Sequence, residues 1–124
     1  MFLLTLRLAC TSALVAGALF APSARAADVP QQMIDGNASV CQQMAAQPAT
    51  AKFDPLLPAD AAKVPAYCAC VSKAYWSSVP QADFDGMLGE MRQFGPRDAM
   101  QQPHSKAIHD ALKGRMTAAR KSCH

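Results

Sequence analysis

The sequence predicts an all-α protein, a small bundle of about four short helices that is cross-linked by two disulfides and preceded by a signal peptide. Apolar residues recur at helical spacings of three, four and seven, and no segment alternates apolar and polar residues for long enough to form a convincing strand. Prolines divide the chain after residue 26 into four segments of helical character. That part of the chain has four cysteines, an even number, as two bridges require.

Residues 1–26 have the organisation of an export leader. Arg7 precedes an apolar run over residues 8–20, and Ala24 and Ala26 form a small-x-small cleavage site. The run is too short for a permanent transmembrane helix, which needs about 20 apolar residues. We therefore expect cleavage near Ala26, no permanent membrane anchor, and a periplasmic or secreted chain over residues 27–124 that folds as a single domain.

The first helix is predicted within residues 30–47, and a proline-rich connection follows it over residues 47–60. The inward stripe of this helix is predicted from apolar residues seven and four positions apart: Met33, Val40 and Met44. Three apolar residues are expected to hold the connection against the core: Phe53, Leu56 and Leu57. The connection is therefore predicted to be part of the packed domain.

The second helix is predicted over residues 65–78, with Pro65 in its first turn, where a missing amide hydrogen is tolerated. Its apolar stripe falls at positions 0, 4, 7 and 11: Val64, Cys68, Val71 and Tyr75. Pro80 opens the third helix, and Gly95 with Pro96 ends it. The buried side of the third helix is predicted to contain Phe84, Met87, Leu88, Met91 and Phe94. The fourth helix begins around Pro103 and continues almost to the chain end.

Cys68 and Cys70 stand one residue apart on the predicted second helix. Each residue advances a helix by about 100°, so the two thiols point roughly 200° apart. Such thiols can neither bridge each other nor bind one tetrahedral metal ion, whereas each can bridge to a different neighbour. The "YCACV" segment is therefore predicted to hold its helix between two other parts of the fold.

Helix phase predicts the partners of these two cysteines. Cys68 and Cys123 lie near the centres of their apolar stripes. Cys41, by contrast, lies on a flank, roughly 80° from the line of Met33, and Cys70 is also off-centre. We therefore favour the pairs Cys41–Cys70 and Cys68–Cys123 over Cys41–Cys68 and Cys70–Cys123. A rotation of one helix would exchange the two arrangements.

The ligand types present in the sequence suggest two possible metal sites. Four residues have the chemistry of a Cys₃His zinc site: Cys68, Cys70, Cys123 and His124. That site needs reduced thiols, which an oxidising compartment does not maintain, so disulfides are favoured. For copper, Met87 and Met91 stand one helical turn apart and thioethers are soft ligands. They also continue an apolar stripe, and His104 and His109 point about 140° apart. We therefore predict no metal and no cofactor.

The chain contains no recognisable catalytic motif. It lacks the Gly-x-Ser-x-Gly nucleophile elbow and the His-Glu-x-x-His zinc-protease motif. His109 and Asp110 are neighbours on a helix and point about 100° apart, which prevents a direct dyad. No βαβ pattern surrounds the closely spaced cysteines, which disfavours a thioredoxin-like role. We therefore predict that the protein is not an enzyme.

Two surfaces are candidates for contact with a partner. Trp76 projects about 100° beyond Tyr75, away from the stripe centre, and is expected to be partly exposed. The last helix contributes five basic residues: Lys106, Lys113, Arg115, Arg120 and Lys121. No aromatic residue interleaves with these charges, which argues against nucleic acid as the partner.

These observations favour a small exported binding protein, namely a protein-interaction, inhibitor, immunity or accessory factor of the cell envelope. Its partner would be another envelope or secreted protein. Two alternatives stay open. Four short, linked helices can enclose a cavity, which predicts a carrier of a small apolar ligand. The chain also contains methionine, cysteine and histidine, which are soft or borderline metal ligands. The other alternative is therefore a copper- or zinc-binding periplasmic protein.

Overall fold

The structure, a computed structural model, describes residues 25–124, and the leader predicted for residues 1–26 lies outside them except for its last two residues. The all-α prediction is confirmed, because residues 25–124 form helices and no strand. Five helices follow one another: α1 (Gln31–Ala45), α2 (Pro48–Ala51), α3 (Val64–Ser77), α4 (Gln81–Ala99) and α5 (Pro103–Ser122). Among these residues, none of the helices combines the length and apolarity needed to cross a bilayer.

Helix α3 is the centre of the bundle. α1 packs against one side of it and α5 against another, while α4 packs against α5. No Cα–Cα distance of 8 Å or less joins α1 to α5. Cys68 on α3 and Val79 just after it are completely buried. The core therefore forms around α3, and its two neighbours stand apart from each other.

The start of α3 follows from its sequence. The Asp60 carboxylate accepts a hydrogen bond from the amide of Ala62 (3.0 Å), which caps a short 3-10 turn over Ala61–Lys63. Pro65 lies in the first turn of α3. Backbone amides in the first turn have no carbonyl partner within the helix, so the amide hydrogen that proline lacks is not needed there. The helix then continues through both cysteines to Ser77, as the sequence predicts.

Two disulfides leave α3 in different directions. Cys68 bridges to Cys41 of α1 and Cys70 bridges to Cys123 at the end of α5, with Cα–Cα distances of 5.7 and 5.8 Å. The prediction that adjacent thiols on a helix bind separate elements is therefore confirmed. The favoured pairs Cys41–Cys70 and Cys68–Cys123 are wrong, and the structure contains the alternative arrangement.

The pairing prediction fails because the inner face of α1 is not the one predicted. Five residues of α1 are not exposed, and four of them follow one another at spacings of four, three and four: Ile34, Ala38, Cys41 and Ala45, the fifth being Met33. Cys41 is thus on the inner face, opposite the buried Cys68. Cys123 directly follows the last residue of α5, and its backbone angles (φ −109°, ψ 1°) are not helical. The apolar stripe of α5 therefore does not predict where the side chain of Cys123 points.

The two bridges enclose loops of 27 and 53 residues. In the loop-closure model, removal of this chain entropy from the unfolded state corresponds to about 3.5–4 kcal/mol for each bridge. The net stability of a domain is about 5–15 kcal/mol. A chain of this size therefore depends on its bridges as much as on its small core.

Several apolar residues predicted to face the core are exposed instead: Val40, Met44, Phe53, Met91 and Phe94. Their positions on the helices are as predicted, but the neighbouring helices do not cover them. Leu56 and Leu57, in contrast, pack against the core as expected. The exposed residues lie mainly beside two cavities described below.

Glu90 of α4 fixes the start of α5. Its Oε1 accepts a hydrogen bond from the amide of His104 (2.9 Å), and its Oε2 accepts from the amide and the hydroxyl of Ser105 (both 2.7 Å). A carboxylate at this position satisfies free amides of the first turn. Burial raises the pKa of Glu90, but these hydrogen bonds and the nearby His104 outweigh that effect and hold the pKa below its ordinary value.

Gly95 bends α4 sharply. Its φ of 78° and ψ of 162° interrupt the helical geometry, and Pro96 follows it. The region around these angles is essentially restricted to glycine. The sequence predicts an end to the helix here, and the structure shows instead that the chain turns and resumes as far as Ala99.

We expect Gly95→Ala to lower the free energy of unfolding by about 1–3 kcal/mol, because an L-residue at this φ and ψ is strained. Nothing lies within 4 Å of an added Cβ, so the loss would come from the backbone alone. Gly36→Ala is the matched control: it also has open space at Cβ but lies within a regular helix, and should stabilise by about 0.5–1 kcal/mol. Urea unfolding of both variants measures the difference, and equal effects would contradict the backbone explanation.

Candidate ligand-binding groove

An apolar groove of about 350 Å³ opens along one face of α3. α1 and α5 form its two walls, α3 forms its floor, and the segment from Thr50 to Leu57 closes one end. The groove exists because both walls pack against α3 but not against each other. Helix geometry makes the floor, from Cys68 to Trp76, about 12 Å long.

The floor and walls follow helical periodicity. On α3, the lining residues fall at positions 0, 3, 4, 7 and 8: Cys68, Val71, Ser72, Tyr75 and Trp76. On α5, they recur every four residues: Leu112, Met116 and Arg120. Each helix therefore presents one continuous stripe to the groove.

Four large apolar side chains on the groove are strongly exposed: Phe53 (65%), Val40 (52%), Met44 (43%) and Leu112 (40%). They come from three separate parts of the chain and meet only at this groove. Apolar surface concentrated at one concave site marks a binding site more often than the same residues scattered singly would. The groove is therefore the main candidate for the functional site.

Three polar side chains along the groove, those of Ser72, Asp54 and Arg120, have partners within the protein. The Ser72 hydroxyl donates to the carbonyl of Ile34 (2.7 Å). Asp54 accepts from the amide of Leu56 (3.1 Å) and lies 3.3 Å from Nε of Arg120. These groups are engaged already, so the groove presents a mainly apolar surface to a ligand.

Tyr67 joins the same network behind the groove. Its hydroxyl donates to Oδ2 of Asp54 (2.9 Å). Burial, helped by the hydrogen bond to Asp54 and the negative charge of Asp54, raises the pKa of Tyr67 well above its ordinary value, although Arg120 opposes the shift. The network ties the closing segment to α3 and α5, because its members come from all three.

Trp76 is buried, so the prediction that it is partly exposed is wrong. Phe84 of α4 packs against it edge-to-face, with ring centroids 5.8 Å apart. The turn after α3 brings α4 across this side of the helix, which local periodicity does not reveal. Trp76 still lines the groove, and its Nε1 is closed to solvent and has no hydrogen-bond partner.

The five basic residues predicted as a partner surface differ in pairing and in exposure. Lys106 pairs with Asp110 on the same helix, and Lys113 and Lys121 are exposed. Arg120 pairs with Asp54 at the end of the groove, and Arg115 is partly buried with its Nη1 unpaired. Only Arg120 contributes to the groove.

A second cavity, of about 200 Å³, lies between α4 and α5. Tyr75 and Leu112 line both this cavity and the groove. The second cavity is also lined by three methionines and a histidine: Met87, Met91, Met100 and His109. His104, which the sequence offers with His109 as a possible copper ligand, does not line this cavity. Its Nδ1 lies 3.1 Å from Asp83.

The cysteines are committed to disulfides in this structure. Cys41, Cys68, Cys70 and Cys123 are all bridged, so no thiolate of residues 25–124 is left to form the Cys₃His zinc set with His124. Among the same residues, no cluster of three or more histidine, cysteine, aspartate or glutamate side chains could hold a metal ion.

Comparison with known proteins assigns no family to this chain: no protein-family model, curated protein or solved structure matches it. The function must therefore be argued from the groove and the cavity themselves.

The sequence contains a sign of the groove in the apolar stripe predicted for α1. Val40 and Met44 are one turn apart on this helix, beside the inner face that includes Cys41. Met33, the third residue of the stripe, is partly buried against the core, whereas Val40 and Met44 line the groove. The predicted stripe therefore extends from the core to the groove.

We expect Tyr67→Phe to destabilise the protein by about 1.5–3 kcal/mol at pH 7, because it removes a hydrogen bond to a charged group. The raised pKa of Tyr67 contributes stability that is fully present below the ordinary pKa of 10.0 and is lost as the pH rises above it. Loss of stability above pH 10 should therefore be steeper in the natural protein than in the variant.

Tyr75→Phe is the control for this prediction, because burial raises the pKa of Tyr75 without a hydrogen bond to a carboxylate. It should cost less than Tyr67→Phe at pH 7. Urea unfolding between pH 7 and pH 11 gives both comparisons, and an equal loss in the two variants at pH 7 would contradict the role of Asp54.

Proposed function

We propose that this protein is a small exported binding protein without catalytic activity, and that it carries a small apolar ligand in the groove between α1 and α5. The observation that carries the proposal is the meeting of exposed apolar side chains from three parts of the chain around one concave site. Ligand pockets typically have volumes of about 300–1,000 Å³ and apolar linings. The groove, at about 350 Å³, is at the small end of this range.

The dimensions of the groove define the class of ligand. Three bonds of an extended chain span about 3.5 Å, so the floor of about 12 Å accommodates an alkyl chain of about ten bonds. Burial of each methylene group contributes about 0.8 kcal/mol. A short alkyl chain or a molecule of two fused rings therefore has enough apolar surface to bind, whereas a fully polar metabolite does not.

The contact with an envelope or secreted protein that the sequence favours stays a prediction. Of the residues named for it, Trp76 is buried, and Lys106 and Arg120 are paired with carboxylates of the same chain. Carriage of a ligand is the better-supported proposal, because its site consists of residues that the fold brings together.

Export also belongs to the proposal. Two disulfides in a chain of this size are typical of an oxidising compartment. The amide of Ala27 donates to the carbonyl of Val79 (2.8 Å), next to the predicted cleavage site. Cleavage after Ala26 would keep this contact, because a terminal ammonium also donates. It would remove the hydrogen bond between the carbonyl of Arg25 and the amide of Gln81 (2.8 Å).

The ligand proposal is tested with the apolar dye N-phenyl-1-naphthylamine. We expect saturable binding at one site, with quenching of Trp76, the single tryptophan of the chain. Val40→Glu and Met44→Glu should each weaken binding by about tenfold, because a charge replaces roughly 1.4 kcal/mol of apolar contact.

Phe94→Glu is the matched control, since Phe94 is exposed to a similar degree as Met44 (40% and 43%) but lines neither cavity. It should leave dye binding unchanged. Equal weakening in all three variants, or no binding by the natural protein to the dye or to decanoate, would contradict the proposal.

The export proposal predicts both cleavage of the leader and formation of the two disulfides in cells. Expression of the full chain should yield, outside the cytoplasm, a protein that begins at Ala27. Non-reducing peptide mapping of the same sample should recover Cys41–Cys68 and Cys70–Cys123, because the folded helices bring these sulfurs together. An uncleaved chain with free thiols in the cytoplasm would be the opposite result.

A further inference from the structure

We propose that the cavity between α4 and α5 is a Cu(I) site, with the thioethers of Met87, Met91 and Met100 and the imidazole of His109 as its ligands. All four side chains line the same cavity of about 200 Å³. This site is separate from the groove, although Tyr75 and Leu112 form a wall that the two share.

The bend at Gly95 brings the third methionine to this site. Met87 and Met91 are one turn apart on α4, so they face the same way. In a straight helix, Met100 would lie about 13.5 Å beyond Met91 and on the opposite side. Since Gly95 breaks the helix at φ 78°, the chain turns and Met100 lines the cavity together with the other two.

His109 enters the cavity from α5. Its side chain is 60% exposed, so the ring is accessible to an ion from solution. Nδ1 lies 3.7 Å from Oδ1 of Asp110, beyond hydrogen-bonding distance, so neither ring nitrogen is held by that carboxylate. The neighbouring Ile108 is buried, so this part of α5 is held against the bundle.

The chemistry of the donors selects the ion. Three thioethers and one neutral imidazole are soft to borderline donors without negative charge, a set that suits Cu(I) and not Mg²⁺, Ca²⁺ or Mn²⁺. The thiols are bridged in residues 25–124, so thioether sulfur is the soft ligand that remains there. A monovalent ion also needs less charge compensation than a divalent one.

Core filling accounts for Met87, which is partly buried against the core, but not for Met91 and Met100. Met91 and Met100 are 40% and 41% exposed, whereas methionines that fill a core are covered. An exposed thioether next to an apolar cavity is accessible to an ion from solution. The same exposure makes replacement by leucine, which has a similar volume, mild for stability.

Competition for Cu(I) with the chelator bicinchoninate tests the proposal. The mature protein, with its disulfides intact and without oxygen or thiol reductants, should bind one Cu(I) ion. Loss of an outer-shell partner of a metal ligand already costs about 10- to 100-fold in affinity. Loss of a ligand itself should cost at least as much. We therefore expect Met91→Leu, Met100→Leu and His109→Ala each to weaken Cu(I) binding by at least about tenfold. X-ray absorption should show sulfur and nitrogen around the copper.

Met33→Leu and His104→Gln are the controls, because neither residue lines the cavity. They should leave the Cu(I) affinity unchanged. Circular dichroism melting of every variant separates loss of a ligand from loss of the fold. Failure of the natural protein to compete for Cu(I), unchanged affinity in the three cavity variants, or a copper site with only nitrogen and oxygen donors would overturn the proposal.

Discussion

The arrangement of the whole molecule depends on one covalent constraint, the two disulfides that leave α3 in different directions. One ties α1 to α3 through Cys68, and the other ties the end of α5 to α3 through Cys70. Because both neighbours are fixed to the same central helix, they need not pack against each other to stay in place. The gap between them can therefore stay open as the groove without the loss of the bundle.

Helix α4 holds α5 from the other side by two local devices. Glu90 binds the first amides of α5, and Gly95 turns the chain so that it returns toward α5. Together they create the second cavity, with Met91 and Met100 on either side of the turn. The groove and this cavity share Tyr75 and Leu112, so the two proposed sites lie back to back across α5 and α3.

The distribution of exposed apolar residues supports a binding role. A small domain that needs disulfides for stability would gain from covering residues such as Phe53 and Val40, yet both are more than half exposed. Their side chains lie at the groove, and Met91 and Met100 lie at the second cavity. The polar groups nearby, such as Asp54, are instead occupied with protein partners. The surface of the groove is therefore mainly apolar, and that of the second cavity combines apolar side chains with thioethers.

The sequence by itself determined the four longer helices, their approximate limits, and the rule that Cys68 and Cys70 must bind different partners, because these follow from local periodicity and from the 100° step of a helix. It did not predict α2, which lies within the proline-rich connection. Only the tertiary structure decided which face of α1 meets α3, and hence that Cys41 pairs with Cys68. It also decided that α4 covers Trp76 and that the chain continues beyond Gly95. Helix rotation and the path of the chain after a turn depend on contacts between residues distant in sequence, and no local pattern contains them.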